Sequence, residues 1–244
     1  MDNRLKEIVD NFDRLKVGVD EPFKFHCTQC GKCCIDREDI LLNPKDLFNI
    51  AKELNLTIMD AFGEYCEMYI GGDSRFPIVR LVPRGEIKRC PLLKNKKCSV
   101  HKVKPTVCAL FPLGRVIKFD AKQDVIKNLT PGDINFIFTE PGCGDDSETH
   151  TVREWLGEFD IPIEDKYYLA WNNVLSEIAH FLQIAEKRFL SKRFERVFLT
   201  VFSLLYLAYD TQQEFSTQFE RNVKKLTEII KREGYKGKLL NDEE

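Results

Sequence analysis

The chain has 244 residues, 43% of them apolar, with 37 basic residues against 39 acidic ones, which fits a globular protein with a buried core and excludes disorder as the default. The near-neutral balance gives no overall steering toward nucleic acid or an anionic membrane. The N-terminal MDNRLKEIVDNFDRLK lacks the apolar run of a secretory signal, and the longest apolar stretch, Val197 to Tyr209, is shorter than the roughly 18 residues of a membrane span. A soluble cytoplasmic protein is expected, with no membrane partner and with any protein partner left open.

Taken in chain order, residues 5–16 set Leu5, Ile8, Val9, Phe12 and Leu15 at three- and four-residue intervals, which predicts an amphipathic helix. Asn43, Pro44 and Asp46 read as a helix start: an N-cap, a proline pre-set at the first position, and an acid at the positive end. Leu47, Ile50, Ala51 and Leu54 supply its buried stripe. Thr57 and Asp60 open a second short helix through Phe62 and Tyr65, with Cys66 on it as a small buried hydrophobe. From Pro77 to Phe138, β-branched runs (Ile78-Val79, Val116-Ile117-Lys118-Phe119, Phe136-Ile137-Phe138) alternate with breakers and predict short strands. Beyond residue 150 the pattern is helical: a weak helix with Trp155, Leu156 and Phe159, then Tyr167 to Phe189, Phe194 to Tyr209, and Phe215 to Ile230. The expected class is α+β, a loop-rich cysteine-cluster region over 1–149 followed by a helical domain over 150–244.

Eight of the nine cysteines precede residue 110, and in a reducing compartment such clustering points to metal or redox chemistry. Cys27-Thr28-Gln29-Cys30-Gly31-Lys32-Cys33-Cys34 is the strongest signal. The two-residue spacing lets sulfurs turn toward one metal, and a glycine after the second thiol permits a backbone that aims amides at the thiolates. Cys33 extends the run as bacterial ferredoxin ligand runs do, so zinc and iron-sulfur both stay open. Adjacent side chains tend to diverge, so Cys34 is expected to serve a second centre or another side of the first. Cys90, Cys98, Cys108 and Cys143 bring the set to eight thiols, enough for one or two four-cysteine centres. From Ile87 to Phe119 the chain carries nine basic residues and no acid, and such positive neighbours offset thiolate charge. Nucleic acid binding is not expected there, because no aromatic binding motif accompanies the charge.

These segments resemble the CxxCxxCC family of zinc- or iron-chelating proteins, also called YkgJ-like. The resemblance runs from about Phe25 to Gly144. It rests on the Phe25-to-Cys34 run, Cys90-Pro91-Leu92-Leu93, Cys98-Ser99-Val100-His101, Pro105 with Cys108, and Phe111-Pro112. It implies metal chelation. Flagellin lysine methylases look similar over the same pattern and imply a protein-modifying alternative, although no loop for S-adenosylmethionine is recognisable; a redox or electron-transfer role is the other alternative. Lys104 and Ala109 stand where the family often has arginines, so no role is carried over from those.

Among the remaining candidates, His101 follows Cys98 at a ligand-like spacing but is read as a hydrogen-bonded structural histidine. His26, His150 and His180 are given no ligand role. The stripe Phe198, Phe202, Leu205 and Tyr209 is read as core, and Glu154 with Glu158 and Asp145 with Asp146 as solvated acids. No P-loop, dinucleotide fingerprint or nucleophile elbow is present.

Overall fold

A computed structural model describes residues 8, 10–36, 38, 40–117, 129–237 and 239. The expectations at Leu5, Val9, Lys118 and Phe119 fall outside them. Helix α1 (Phe12–Leu15) runs into strand β1 (Lys16–Val17), which pairs antiparallel with β9 (Ile134–Phe138), itself paired with β8 (Leu113–Ile117). Strand β2 (Pro22–His26) pairs with β10 (Asp145–Thr151). A third sheet has the order β3 (Leu41–Leu42), β5 (Pro77–Leu81), β4 (Cys66–Ile70), and a small hairpin joins β6 (Leu93–Lys94) to β7 (Lys97–Cys98). The class is α+β.

The helix starts follow the sequence logic closely. In α2 (Pro44–Glu53) the Asn43 side chain accepts from the Asp46 amide at 3.0 Å, and the Asp46 carboxylate accepts from the Asn43 amide at 3.1 Å, a reciprocal capping box. Thr57 caps α3 (Ile58–Tyr65) through the Asp60 amide at 3.1 Å. Cys66 does not ride on α3 but begins β4, buried in the core, and burial alone pushes its thiol up to about 12. The environment is that of a small hydrophobe.

The C-terminal helices are α5 (Val152–Gly157), α6 (Lys166–Arg188), α7 (Ser191–Phe202) and α8 (Phe215–Arg232). Phe159 lies past the end of α5. The helix expected through Tyr209 stops being α-helical at Phe202 and widens into a π turn over Ser203–Leu207. Phe198, Phe202, Leu205 and Tyr209 are core residues, as their spacing predicts.

Burial falls into two clusters. The larger joins α2, α3 and β5 to α6, α7 and α8 through residues such as Leu47, Val79, Ile178, Val201 and Leu226. The smaller gathers Phe23, Phe25, Leu110, Leu113 and Phe136 with Val152, Trp155 and Leu156 of α5. Cys90, Cys98 and Cys108 pack against the first cluster, whereas Phe25 of the second leads directly into Cys27. The cysteine loops thus occupy the seam between the two.

Candidate metal centre

Three of the cysteine segments place a sulfur by a short-range backbone device. Gly31 adopts φ +75°, which turns the chain so that the Lys32 amide donates to the Cys30 sulfur and starts a 3₁₀ turn over Lys32–Cys34. The same two-residue offset recurs where the Leu92 amide, joined by that of Leu93, donates to Cys90, and where the Val100 amide donates to Cys98. Amide donors aimed at sulfur stabilise the thiolate, the form that binds metal. The sequence expectation for the glycine after Cys30 is realised, and two further knuckles without glycine accompany it.

Long-range contacts then bring these knuckles together. The Cys90 amide donates to the Cys34 carbonyl at 2.8 Å, joining the first loop to the second. The β6–β7 hairpin sets Leu93 opposite Cys98. Cys108 sits in α4 (Thr106–Leu110), whose first turn is held by the buried Asp46: its carboxylate accepts from the Thr106 amide at 2.9 Å and hydroxyl at 2.7 Å. One carboxylate therefore finishes the start of α2 and fastens the segment that carries Cys108. The sequence showed Asp46 only as a helix-start acid; its second role depends on a neighbour 60 residues away.

Cys143 arrives by another route. The β2–β10 pairing sets Asp145 opposite His26, with a bulge before Thr149 meets Lys24, so the turn ahead of β10 lies beside the first cysteine loop. Gly144, at φ +75°, has no room for a side chain: a Cβ there would lie 2.5 Å from the His26 carbonyl oxygen and 2.6 Å from the Phe25 ring. Its amide donates to the Cys30 sulfur, and the Cys143 thiol does the same. Nothing in the polar sequence of β10 announced a strand. Asp145, expected as a solvated acid, is exposed but accepts from Ser147 within that strand.

Cys27, Cys33, Cys34, Cys90, Cys98 and Cys108 line one cavity of about 350 Å³, with Leu81, Leu92, Leu93 and Phe111 as apolar wall and Lys96, Lys97 and Lys104 at its edge. Cys30 and Cys143 adjoin it through their mutual hydrogen bond and through the charge that Cys33, Cys30 and Cys27 exert on Cys143. All eight candidate thiols are thereby connected, and no disulfide forms among the described residues.

Contrary to the expectation that adjacent side chains diverge, the 3₁₀ turn brings the Cys33 and Cys34 sulfurs to 3.8 Å. Two sulfurs bound to one tetrahedral ion at metal–sulfur distances of ~2.3 Å are also separated by about 3.8 Å. Cys34 therefore sits beside Cys33. Among the described residues no group of three or more His, Cys, Asp or Glu side chains is already drawn tight enough to enclose an ion. The donor chemistry nevertheless fits a thiophilic metal, because soft sulfur ligands suit zinc and iron. Its hydrogen bond with Cys33 raises the Cys34 thiol, with burial and the charges of Cys33, Cys90 and Cys108 adding to the effect. Burial first, then neighbouring thiolates, raises Cys90 and Cys98, and takes Cys143 to about 11. Cys30, almost fully exposed and rich in donors, is lowered instead, mainly by the Lys32 amide.

His101 also departs from expectation. It is exposed, lines the cavity, lies tilted at 55° with its ring centroid 6.2 Å from that of Phe159, and has no hydrogen-bond partner among the described residues. Burial and the Lys104 charge lower its pKa, which favours the neutral ring. His26 contacts Ser147 at 3.0 Å and His180 contacts Tyr235 at 3.1 Å, both structural roles.

Residues 26–128 match the CxxCxxCC family model. That family is described as a "Putative zinc- or iron-chelating domain", and the matched segment holds seven of the eight candidate thiols, with Cys143 beyond its end. An uncharacterized protein of Methanocaldococcus jannaschii is 31% identical over 94 residues, covering 36% of this chain and 44% of that protein. The chain thus spans less than half the length of that relative. No solved structure matches. No helix among the described residues is long and apolar enough to cross a membrane.

Proposed function

We propose that the chain chelates zinc or iron through Cys27, Cys30, Cys33, Cys34, Cys90, Cys98, Cys108 and Cys143. The supporting observation is the convergence of these thiols on and beside one cavity from four separate stretches of chain. Neutral packing thiols need no such convergence, nor amide donors at three of them. Cys27, Cys33, Cys34, Cys90, Cys98 and Cys108 line the cavity, and Cys30 and Cys143 adjoin it. Lys96, Lys97 and Lys104 offset the charge of the assembled thiolates.

A bound ion would supply a cross-link worth on the order of 10 kcal/mol, comparable with the whole stability of a domain. The protein's own residues contribute the rest: amides that favour thiolates, an apolar wall that limits water, and a carboxylate that fastens the Cys108 segment. An iron-sulfur centre is the second reading, supported by a thiol-lined space of about 350 Å³, more than one tetrahedral ion requires. Anaerobic purification with elemental analysis and an absorption spectrum tests both. Stoichiometric zinc without colour removes the cluster reading, sulfide-linked visible absorption supports it, and protein free of both metals after anaerobic purification and reconstitution refutes chelation.

A further inference from the structure

A second cavity of about 270 Å³ lies on the other side of the Lys104–Ala109 segment, bounded by the start of α2, the start of α6 and the chain after α5. Four cations and three carboxylates line it: Lys45, Lys102, Lys104 and Arg115 against Asp46, Asp160 and Asp165. The acids are largely committed. Asp46 accepts from Asn43 and Thr106, while Asp165 accepts from Arg115 at 2.8 Å and from the Tyr168 amide at 3.0 Å. Arg115 is thus paired with Asp165, and only the exposed Asp160 remains for the three lysines.

The cations are not consumed in the same way. Lys45 lies over the Tyr167 ring at 5.4 Å and Lys104 over Phe159 at 4.2 Å, so these ammonium groups rest on aromatic faces. Lys102 is exposed at the rim. Arg115 is the most telling. Its side chain is only 4% exposed and packs 3.7 Å over the Tyr168 ring, yet its Nε is buried with no hydrogen-bond partner among the described residues. An unmet donor on a buried guanidinium is costly, and a shift of the side chain toward an acceptor in the cavity would remove that cost. The walls from Phe159, Ile161, Tyr167 and Tyr168 suit a carbon body, whereas the guanidinium and ammonium groups suit a planar carboxylate.

We propose that this cavity binds a small organic carboxylate, held by Arg115 with Lys102 and Lys45 and packed against Tyr167 and Tyr168. The site stands apart from the metal reading, since none of its lining residues is a thiol. It shares Lys104 with the thiol-lined cavity, so the ligand sits one segment from Cys108.

The test is isothermal titration of the 244-residue chain with acetate, succinate and benzoate, and with inorganic phosphate for comparison. One-site binding of at least one carboxylate, stronger than phosphate and weakened about tenfold by Lys102→Ala or Lys45→Ala, is expected, as for loss of one charge-assisted contact. Arg115→Gln is expected to abolish binding; because it also strips Asp165 of its partner, the two exposed lysines decide the matter should that variant fail to fold. No carboxylate binding by the wild type overturns the proposal, as does phosphate binding at least as tightly, or unchanged affinity in both lysine variants.

Discussion

Replacing Gly144 with alanine tests how Cys30 and Cys143 are placed. The backbone there is left-handed at φ +75°, a conformation that costs a residue with a Cβ roughly 1–2 kcal/mol. The new Cβ would also meet the His26 carbonyl oxygen at 2.5 Å and the Phe25 ring at 2.6 Å. Neither is the far end of a flexible side chain, so the β2–β10 junction has to move, adding about 1–3 kcal/mol of overpacking. The expected total is about 3 kcal/mol, a large fraction of the 5–15 kcal/mol that holds a typical domain together. With a urea dependence near 3 kcal/mol per molar, the unfolding midpoint falls by about 1 M. Gly142 provides the control, since its Cβ would meet nothing within 4 Å and its φ is not left-handed. Gly144→Ala should also release metal faster, because the shift carries Cys143 and the Gly144 amide away from Cys30. Equal midpoints and equal metal release for Gly144→Ala and Gly142→Ala would refute this account of the junction.

The metal reading makes a paired prediction: Cys66→Ala keeps full metal content and costs about 1 kcal/mol of packing, whereas Cys34→Ser lowers the content measured by elemental analysis. Loss of metal in the Cys66 variant would put that thiol inside the site. Stripping the metal with a chelator should lower the thermal midpoint and expose the region around Cys90 to Cys108 to proteolysis; an unchanged calorimetric trace argues against a structural ion. Asp46 yields a pH effect. Burial raises its carboxyl above the ordinary 3.8, so the folded state holds that proton more tightly than the unfolded chain does. Its contribution to stability therefore falls as pH climbs from 3.8 toward the raised value. The wild-type unfolding free energy minus that of Asp46→Asn should decline across this window, and a difference that grows with pH contradicts the assignment.

Much of this molecule is legible locally. The caps at Asn43 and Thr57 and the knuckle at Cys30-Gly31 depend on residues within four positions of one another, and all form as their sequences indicate. Strand β10 was not legible, because DDSETHT carries no alternation; it is a strand only because β2 offers it an edge. Cys66 left its helix for the same kind of reason, recruited by pairing with Leu81 of β5. Adjacent thiols were expected to part, but a 3₁₀ turn rotates successive residues differently from an extended chain and keeps Cys33 and Cys34 together.

The sequence by itself determined that this is an α+β chain with a thiol-rich segment similar to a zinc- or iron-chelating domain, since residue type and short spacing set both helix starts and donor chemistry. Tertiary structure alone decided which sulfurs share a cavity, that Asp46 fastens the Cys108 segment, and that Arg115 lies buried with an unmet donor. The physical reason is range: capping and knuckles are closed by neighbours in the chain, whereas convergence, burial and unmet hydrogen bonds arise only when segments far apart in sequence come into contact.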